Sequence, residues 1–337
     1  MYVLCDPTYD GNSTLYAVPI QGMEAYRSGM TTLSKALAAA GRDNTDFTYW
    51  TEEQQTKFWD NFDKGLVPFA QGIVDACVEA GAAAEGDVAA AGAAWGFSGE
   101  STTVEEFAME IGNQYAWSFS AMEKEVGNSE KLVDLMDEDV YNDYPTTGVK
   151  TGESAANISG IKKTGDYSMR VVATEVDATL IYQLAMPIAP LRYYRDAIKY
   201  DYDNNKFGFD KGDLSTVRAK TNDPVGAGPY KLAEWDFGQS ITLEKFDDFY
   251  LGKPKIDKII FKIVPDNDVR AMQLKSGELD FAQITPKAAV EFEDLDGFAL
   301  YKMDTADYRG IMYNFNSEFF KKHRELPNIL SYAIDRQ

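Results

Sequence analysis

A chain of 337 residues, 45% hydrophobic and 26% charged, is long enough for about two domains with sizeable cores. Its formal net charge of −21 creates a field that repels phosphate backbones and anionic membrane surfaces, which argues against nucleic acid as a partner. The single histidine, His323, excludes a histidine-rich metal site; the two cysteines, Cys5 and Cys77, have no CxxC spacing; and no run of about 18 apolar residues could span a bilayer as a helix.

The opening segment, residues 1–29, reads as extended chain with turns. Pro7 and Gly11 punctuate DPTYDG, and Pro19 and Gly22 break any long helix. It lacks the basic start and apolar stretch of a signal peptide. From Met30 to about Thr146 the pattern is mainly helical. Gly41 is placed to end the first helix. Trp59, Phe62, Leu66 and Phe69 fall at helical spacing, with Pro68 as an expected interruption. The Ala- and Gly-rich stretch from Gly81 to Gly99 reads as a loop or a loosely packed helix. Thr103 stands three residues before Glu106, the spacing of a capping box. The block carries no chemical signature, so scaffolding is its default role.

From Ile158 the period changes to two. A strand, a turn at Gly165 and Asp166, and a second strand are expected. YDYDNNKFGFDKGDLS imitates a calcium loop, yet counting from Asp201 puts Lys206 where the sharp turn needs Gly and Gly212 where a bidentate Glu is required. A solvated loop is the better reading, and no metal or cofactor is expected. In the last third QSITLEKF and IDKIIFKIV alternate as half-buried strands should, with Ile259, Phe261 and Ile263 on one face. Asp266 is placed to cap a helix that closes at Gly277, and ELDFAQI reads as a further strand. The order strand, strand, helix, strand fits an α/β sheet.

PVGAGPYKLAEW, residues 224–235, resembles the signature of the bacterial extracellular solute-binding proteins of family 5, which carry oligopeptides, dipeptides and nickel. ITLEKFDDFYLGKPKIDKIIFKIVPDNDVRAMQLKSGELDFAQI, YRGIMYNFN and YAIDR continue that resemblance in order. Upstream, ISGIKKTGDYSMRVVATEVDATLIYQL and MPIAPLRYY match more loosely. DPTYDG and FGFDKGDLS look like features of an acidic subgroup. Two departures stand out: Ala227 replaces a common Thr, and Pro327 a common Arg.

The resemblance implies a mixed α/β chain with a lobe of the periplasmic-binding-protein type II kind. Residues 1–185 would form a helix-rich subdomain of the first lobe with an insertion, 186–303 its sheet-bearing core, and 304–337 the hinge and start of a second lobe. Both ends read as cut, with most of the second lobe, and the carboxylate that meets a peptide's amine, expected beyond Gln337. The implied activity is capture of a solute, a peptide before others, outside the cell for an ABC importer. The implied partners are a peptide and the permease subunits, and the implied location is periplasmic or on the surface as a lipoprotein. No catalysis is expected. The competing readings are a secreted carbohydrate-active hydrolase using two carboxylates and a surface binding module with no part in transport.

Within that frame Gly226 or Gly228 is expected at positive φ, with Pro229 fixing the exit into a strand. A phosphate cradle is disfavoured because the glycines open a strand and not a helix. The segment YRGIMYNFN is expected to cross between lobes. Gly310 suits a hinge. Tyr308, Arg309, Tyr313, Asn314 and Asn316 would supply ligand contacts, the alternative being that Ile311 and Tyr313 alternate in a buried strand.

Overall fold

A computed structural model describes residues 2–9, 18–127, 130–185, 189–204, 206–303 and 310–333. Two compact units divide the chain, Met1–Phe261 and Lys262–Gln337. The division falls inside the segment 186–303, at the end of a strand, and not at 185 or 303.

In the first unit Gly22 takes the left-handed conformation, φ 79°, and starts helix α1 (Met23–Arg27). The breakers Pro19 and Gly22 prevent a long helix here and leave a five-residue one. Strand β1 (Met30–Thr32) pairs antiparallel with β2 (Gly148–Lys150). Between them lies the helical block: α2 (Leu33–Ala40), α3 (Glu52–Asn61), α4 (Val67–Glu79), α5 (Val88–Trp95), α6 (Val104–Gln114), α7 (Phe119–Ala121), α8 (Leu132–Leu135) and α9 (Glu138–Asn142).

Side chains set these boundaries. Thr32 and Asp87 accept bonds from Lys35 N and Ala90 N at the starts of α2 and α5. Thr51 with Gln54, and Thr103 with Glu106, form reciprocal capping boxes at α3 and α6. Pro68 does not interrupt the helical path. A π turn over Phe62–Leu66 precedes it, and the wider turn accommodates a residue that lacks an N–H and would clash with a carbonyl four residues back.

Phe58, Phe69, Ile73, Phe107 and Ile111 are buried in one continuous core within this block. Each such side chain contributes about 1.5–3 kcal/mol on burial. Of the Ala- and Gly-rich stretch, Val88–Trp95 is helical as α5, while residues 81–87 and 96–99 form the loops that flank it. A Cβ at Gly92 would meet the Phe107 ring at 3.5 Å, an ordinary contact, so α5 lies against α6.

After β2 the elements shorten. Strands β3 (Ile161–Gly165) and β4 (Ser168–Val171) make the expected hairpin, with a bulge between Lys163 and Gly165. Beside it Cys5, Ile20, Tyr26 and Ile158 form a second, smaller core. Cys5 and Cys77 are both free and buried in separate cores. Helices α10 (Leu180–Gln183) and α11 (Leu191–Tyr194), the paired β5 (Tyr200–Asp201) and β6 (Lys206–Phe207), and α12 (Ser215–Arg218) lead to a three-stranded sheet. Its strands are β7 (Tyr230–Asp236), β8 (Ser240–Lys245) and β9 (Lys258–Lys262), in the order β7-β8-β9. β7 and β8 pair antiparallel from Tyr230↔Lys245 to Asp236↔Ser240.

In the second unit Asp266 accepts bonds from Asp268 N and Val269 N and caps α13 (Asn267–Ser276), which Gly277 closes at φ 81°. Residues 278–284, expected as a strand, form no ladder; among the described residues no neighbouring strand takes up their backbone groups. Helices α14 (Pro286–Ala289), α15 (Glu318–Lys322) and α16 (Leu326–Ser331) follow. Pro327 sits in the first turn of α16, where its missing N–H has no partner to lose. The whole is a mixed α/β structure.

Candidate functional site

The principal concavity of the first unit has a volume of about 1340 Å³, above the usual range for small-molecule pockets, about 300–1,000 Å³. Four segments wall it, with Thr174 and Arg218 beside them. Pro7–Tyr9 and the stretch from Val18 through α1 to Lys35 form one side. Ala116–Ser120 and Tyr141–Thr146, from the helical block, form another, and Arg218 of α12 closes in beside Thr174.

A buried carboxylate holds the first wall. Asp6 is fully buried. Its Oδ1 accepts bonds from Thr8 N at 2.9 Å and Thr8 Oγ1 at 2.6 Å, and its Oδ2 accepts one from Gly212 N at 2.8 Å. Arg218 donates to the Thr8 carbonyl. Asp6 of DPTYDG and Gly212 of FGFDKGDLS, the two segments read from sequence as subgroup features, thus meet in space. Gly212 is at φ 87°, and its backbone lies against Gly148, where a Cβ would come within 2.4 Å. Glycine is required at both places.

Lys211 supports α1 from below. Its Nζ donates to the Tyr26 carbonyl and to Ser154 Oγ, and it lies 4.1 Å from the centre of the Tyr26 ring. Burial pushes the Lys211 pKa down, with Asp6 opposing the shift. Burial pushes the Tyr26 hydroxyl up, assisted by Asp6. Tyr2 stacks on Phe207 at 4.1 Å and meets Tyr26 edge-on at 5.2 Å. The charged groups of the lining are of both signs: Glu24 and Asp143 against Arg27, Lys35 and Arg218. Sequence reasoning missed this cavity. Its helical wall comes from the block that carries no motif, and only the turn residues of DPTYDG pointed to it.

The residues singled out from sequence lie elsewhere. Tyr308 and Arg309 fall outside the described residues. Gly310, Asn314 and Asn316 are exposed and Tyr313 is half-buried, on a segment of the second unit without regular structure. Ile311 and Tyr313 do not alternate in a buried strand: Ile311 is 62% exposed. Asn314 Oδ1 accepts a bond from Asn316 N at 2.9 Å, and Ser317 then caps α15. Tyr313 meets Phe320 edge-on at 5.3 Å.

Gly226 and Gly228 require a correction, since neither is at positive φ and a Cβ at either would meet nothing within 4 Å. The bend is fixed from outside. Tyr193 Oη donates to Asp223 O at 2.7 Å, and Tyr194 Oη accepts from Val225 N at 3.1 Å. Downstream, Pro229 O accepts from Phe246 N at 2.8 Å as the chain enters β7. With neighbours holding both flanks, the turn forms without left-handed backbone. Among the described residues, no group of three or more His, Cys, Asp or Glu could hold a metal ion, and no helix is long and apolar enough to cross a membrane.

Comparison with known proteins adds the following. The model of the family described as "Bacterial extracellular solute-binding proteins, family 5 Middle" matches residues 110–337. The oligopeptide-binding protein AppA of Bacillus subtilis is 27% identical over 192 residues, 55% of this chain and 32% of that protein. The glutathione-binding protein GsiB of Pectobacterium atrosepticum is 34% identical over 115 residues, 34% of this chain and 22% of that protein. The chain therefore spans about a third or less of the length of these curated relatives. Among solved structures, NikZ from Campylobacter jejuni in complex with Ni(L-His) aligns at a TM-score of 0.40 and 23% identity, covering 53% of this chain and 34% of that one. A likeness that partial carries no argument.

Proposed function

The chain belongs to the bacterial extracellular solute-binding proteins of family 5, and from that membership we propose that it captures a peptide outside the cytoplasmic membrane for delivery to an ABC importer. The family is one of binding proteins rather than enzymes, and we take this chain to hold its ligand without turning it over. The observation that carries the peptide reading is the cavity beside α1. It is larger than a single metabolite needs, and it is lined by groups of both charge signs, as a zwitterionic ligand with a polar backbone requires. The relatives named for oligopeptides and glutathione point to the same ligand class. Tyr308, Arg309, Tyr313, Asn314 and Asn316 remain proposed as ligand contacts carried by the second unit, with Gly310 as a proposed hinge.

Native mass spectrometry of the full chain with a pool of di- to nonapeptides tests this. The expected result is one intact peptide retained per chain, saturably. Cleaved products, or no retention, would overturn it. Delivery is tested separately by uptake of the retained peptide in cells with and without the gene, and equal uptake would contradict a transport role.

A further inference from the structure

Ala116 and Trp117 are the two non-glycine residues at positive φ among the described residues, at 51° and 60°, and they are consecutive. Each such conformation costs about 1–3 kcal/mol. The surrounding structure fixes it. The Trp117 ring is buried, with Phe58 at 5.5 Å. Its Nε1 donates to Asn113 Oδ1 at 3.2 Å. Its amide donates to Gly112 O at 2.8 Å, and its carbonyl accepts from the buried Ser34 hydroxyl at 3.2 Å. Gly112 has to be glycine, because a Cβ there would lie 2.7 Å from the indole. The side chain of Trp117 is thus locked into the core of the helical block while the following residues turn out along the cavity. Ser118 is half-buried and Ser120 exposed, and both line the cavity.

We infer that the Ala116–Ser120 turn is a specificity-determining wall, a rigid surface against which the bound peptide ends, so that the helical block limits ligand length. The strained backbone supplies the rigidity: a turn anchored by an indole in a close-packed core cannot retreat to admit a longer ligand. The two serine hydroxyls give that surface donors and acceptors suited to a peptide main chain. This inference rests on the peptide reading above.

The test uses the full chain and two probes, trialanine and a nonapeptide of alanine and serine, titrated calorimetrically. Ser120→Trp places bulk at the wall from an exposed position, and an unchanged circular dichroism spectrum and melting temperature would establish that it folds. Ser118→Trp is the second variant. Nonapeptide affinity is expected to fall by about tenfold or more while that of trialanine stays within about threefold. Both affinities unchanged, or both falling alike, would overturn the wall. Failure of the unaltered chain to bind either probe would sink the peptide reading itself, and this inference with it.

Discussion

The helical block and the β7–β9 sheet were equally legible as patterns, yet they bury their apolar residues very differently. In the block the apolar spacing of α3, α4 and α6 ends in a closed core with Phe58, Phe69, Phe107 and Ile111 buried. In the sheet the alternation is just as clear, but Phe261, on the face expected to be shared with Ile259, is 54% exposed, and Ile263, just past β9, is 50% exposed. Periodicity states which residues share a face, and says nothing of what covers that face. The block carries its own cover because its helices pack on one another. Charge divides the same way: residues 30–150 hold 22 of the 54 acidic residues but only 7 of the 33 basic ones. A closed core tolerates that one-sided surface charge, which also favours solubility.

The contrast can be broken by truncating one apolar side chain in each region. Phe107→Ala should cost about 3–5 kcal/mol, since it empties a site filled on all sides. Ile260→Ala, at a position 55% exposed, should stay within about 0.5 kcal/mol. Urea unfolding followed by circular dichroism checks both, and equal losses would mean that the sheet is as well packed as the block. Asp6→Ala strands three donors, from Thr8 and Gly212, and should cost about 3 kcal/mol; a loss below about 1 kcal/mol would show that the carboxylate does not hold the cavity wall.

Smaller effects sharpen the account of the block's surface. Thr103→Ala removes the capping hydroxyl of α6 and should cost about 1 kcal/mol. Arg42→Ala removes the bidentate pair with Asp63, both bonds 2.7 Å. Both side chains are half-exposed, so the loss should not exceed about 1 kcal/mol. Its pH dependence has a definite sign. Hydrogen bonds from Arg42 hold the Asp63 carboxyl below its ordinary value against partial burial. The pair's contribution is therefore full above the unfolded value, about 3.9, and is lost as pH falls through the lower folded one. The gap between unaltered chain and variant should close on acidification; a gap that widens would reverse the assignment.

Local chemistry was the legible part. The Thr103 capping box, the Asp266 cap, the Gly277 stop, the turn at Gly165 and the strands β7 to β9 follow from residues within a few positions of one another. Legibility failed where the deciding partner is distant in sequence. Pro68 reads as a break until the preceding π turn is known. One of Gly226 and Gly228 reads as left-handed until Tyr193 and Tyr194 hold the chain ahead of them. The cavity joins Asp6, Trp117 and Gly212, three positions that no local pattern links.

Hydrogen–deuterium exchange of the full chain, with and without trialanine and the alanine–serine nonapeptide in excess, tests the central claim that this cavity receives a peptide. The account predicts slowed exchange in residues 18–32 and 116–120 when peptide is present. Unchanged exchange in both stretches, with protection confined to residues 310–316, would contradict it and place the ligand on the second unit.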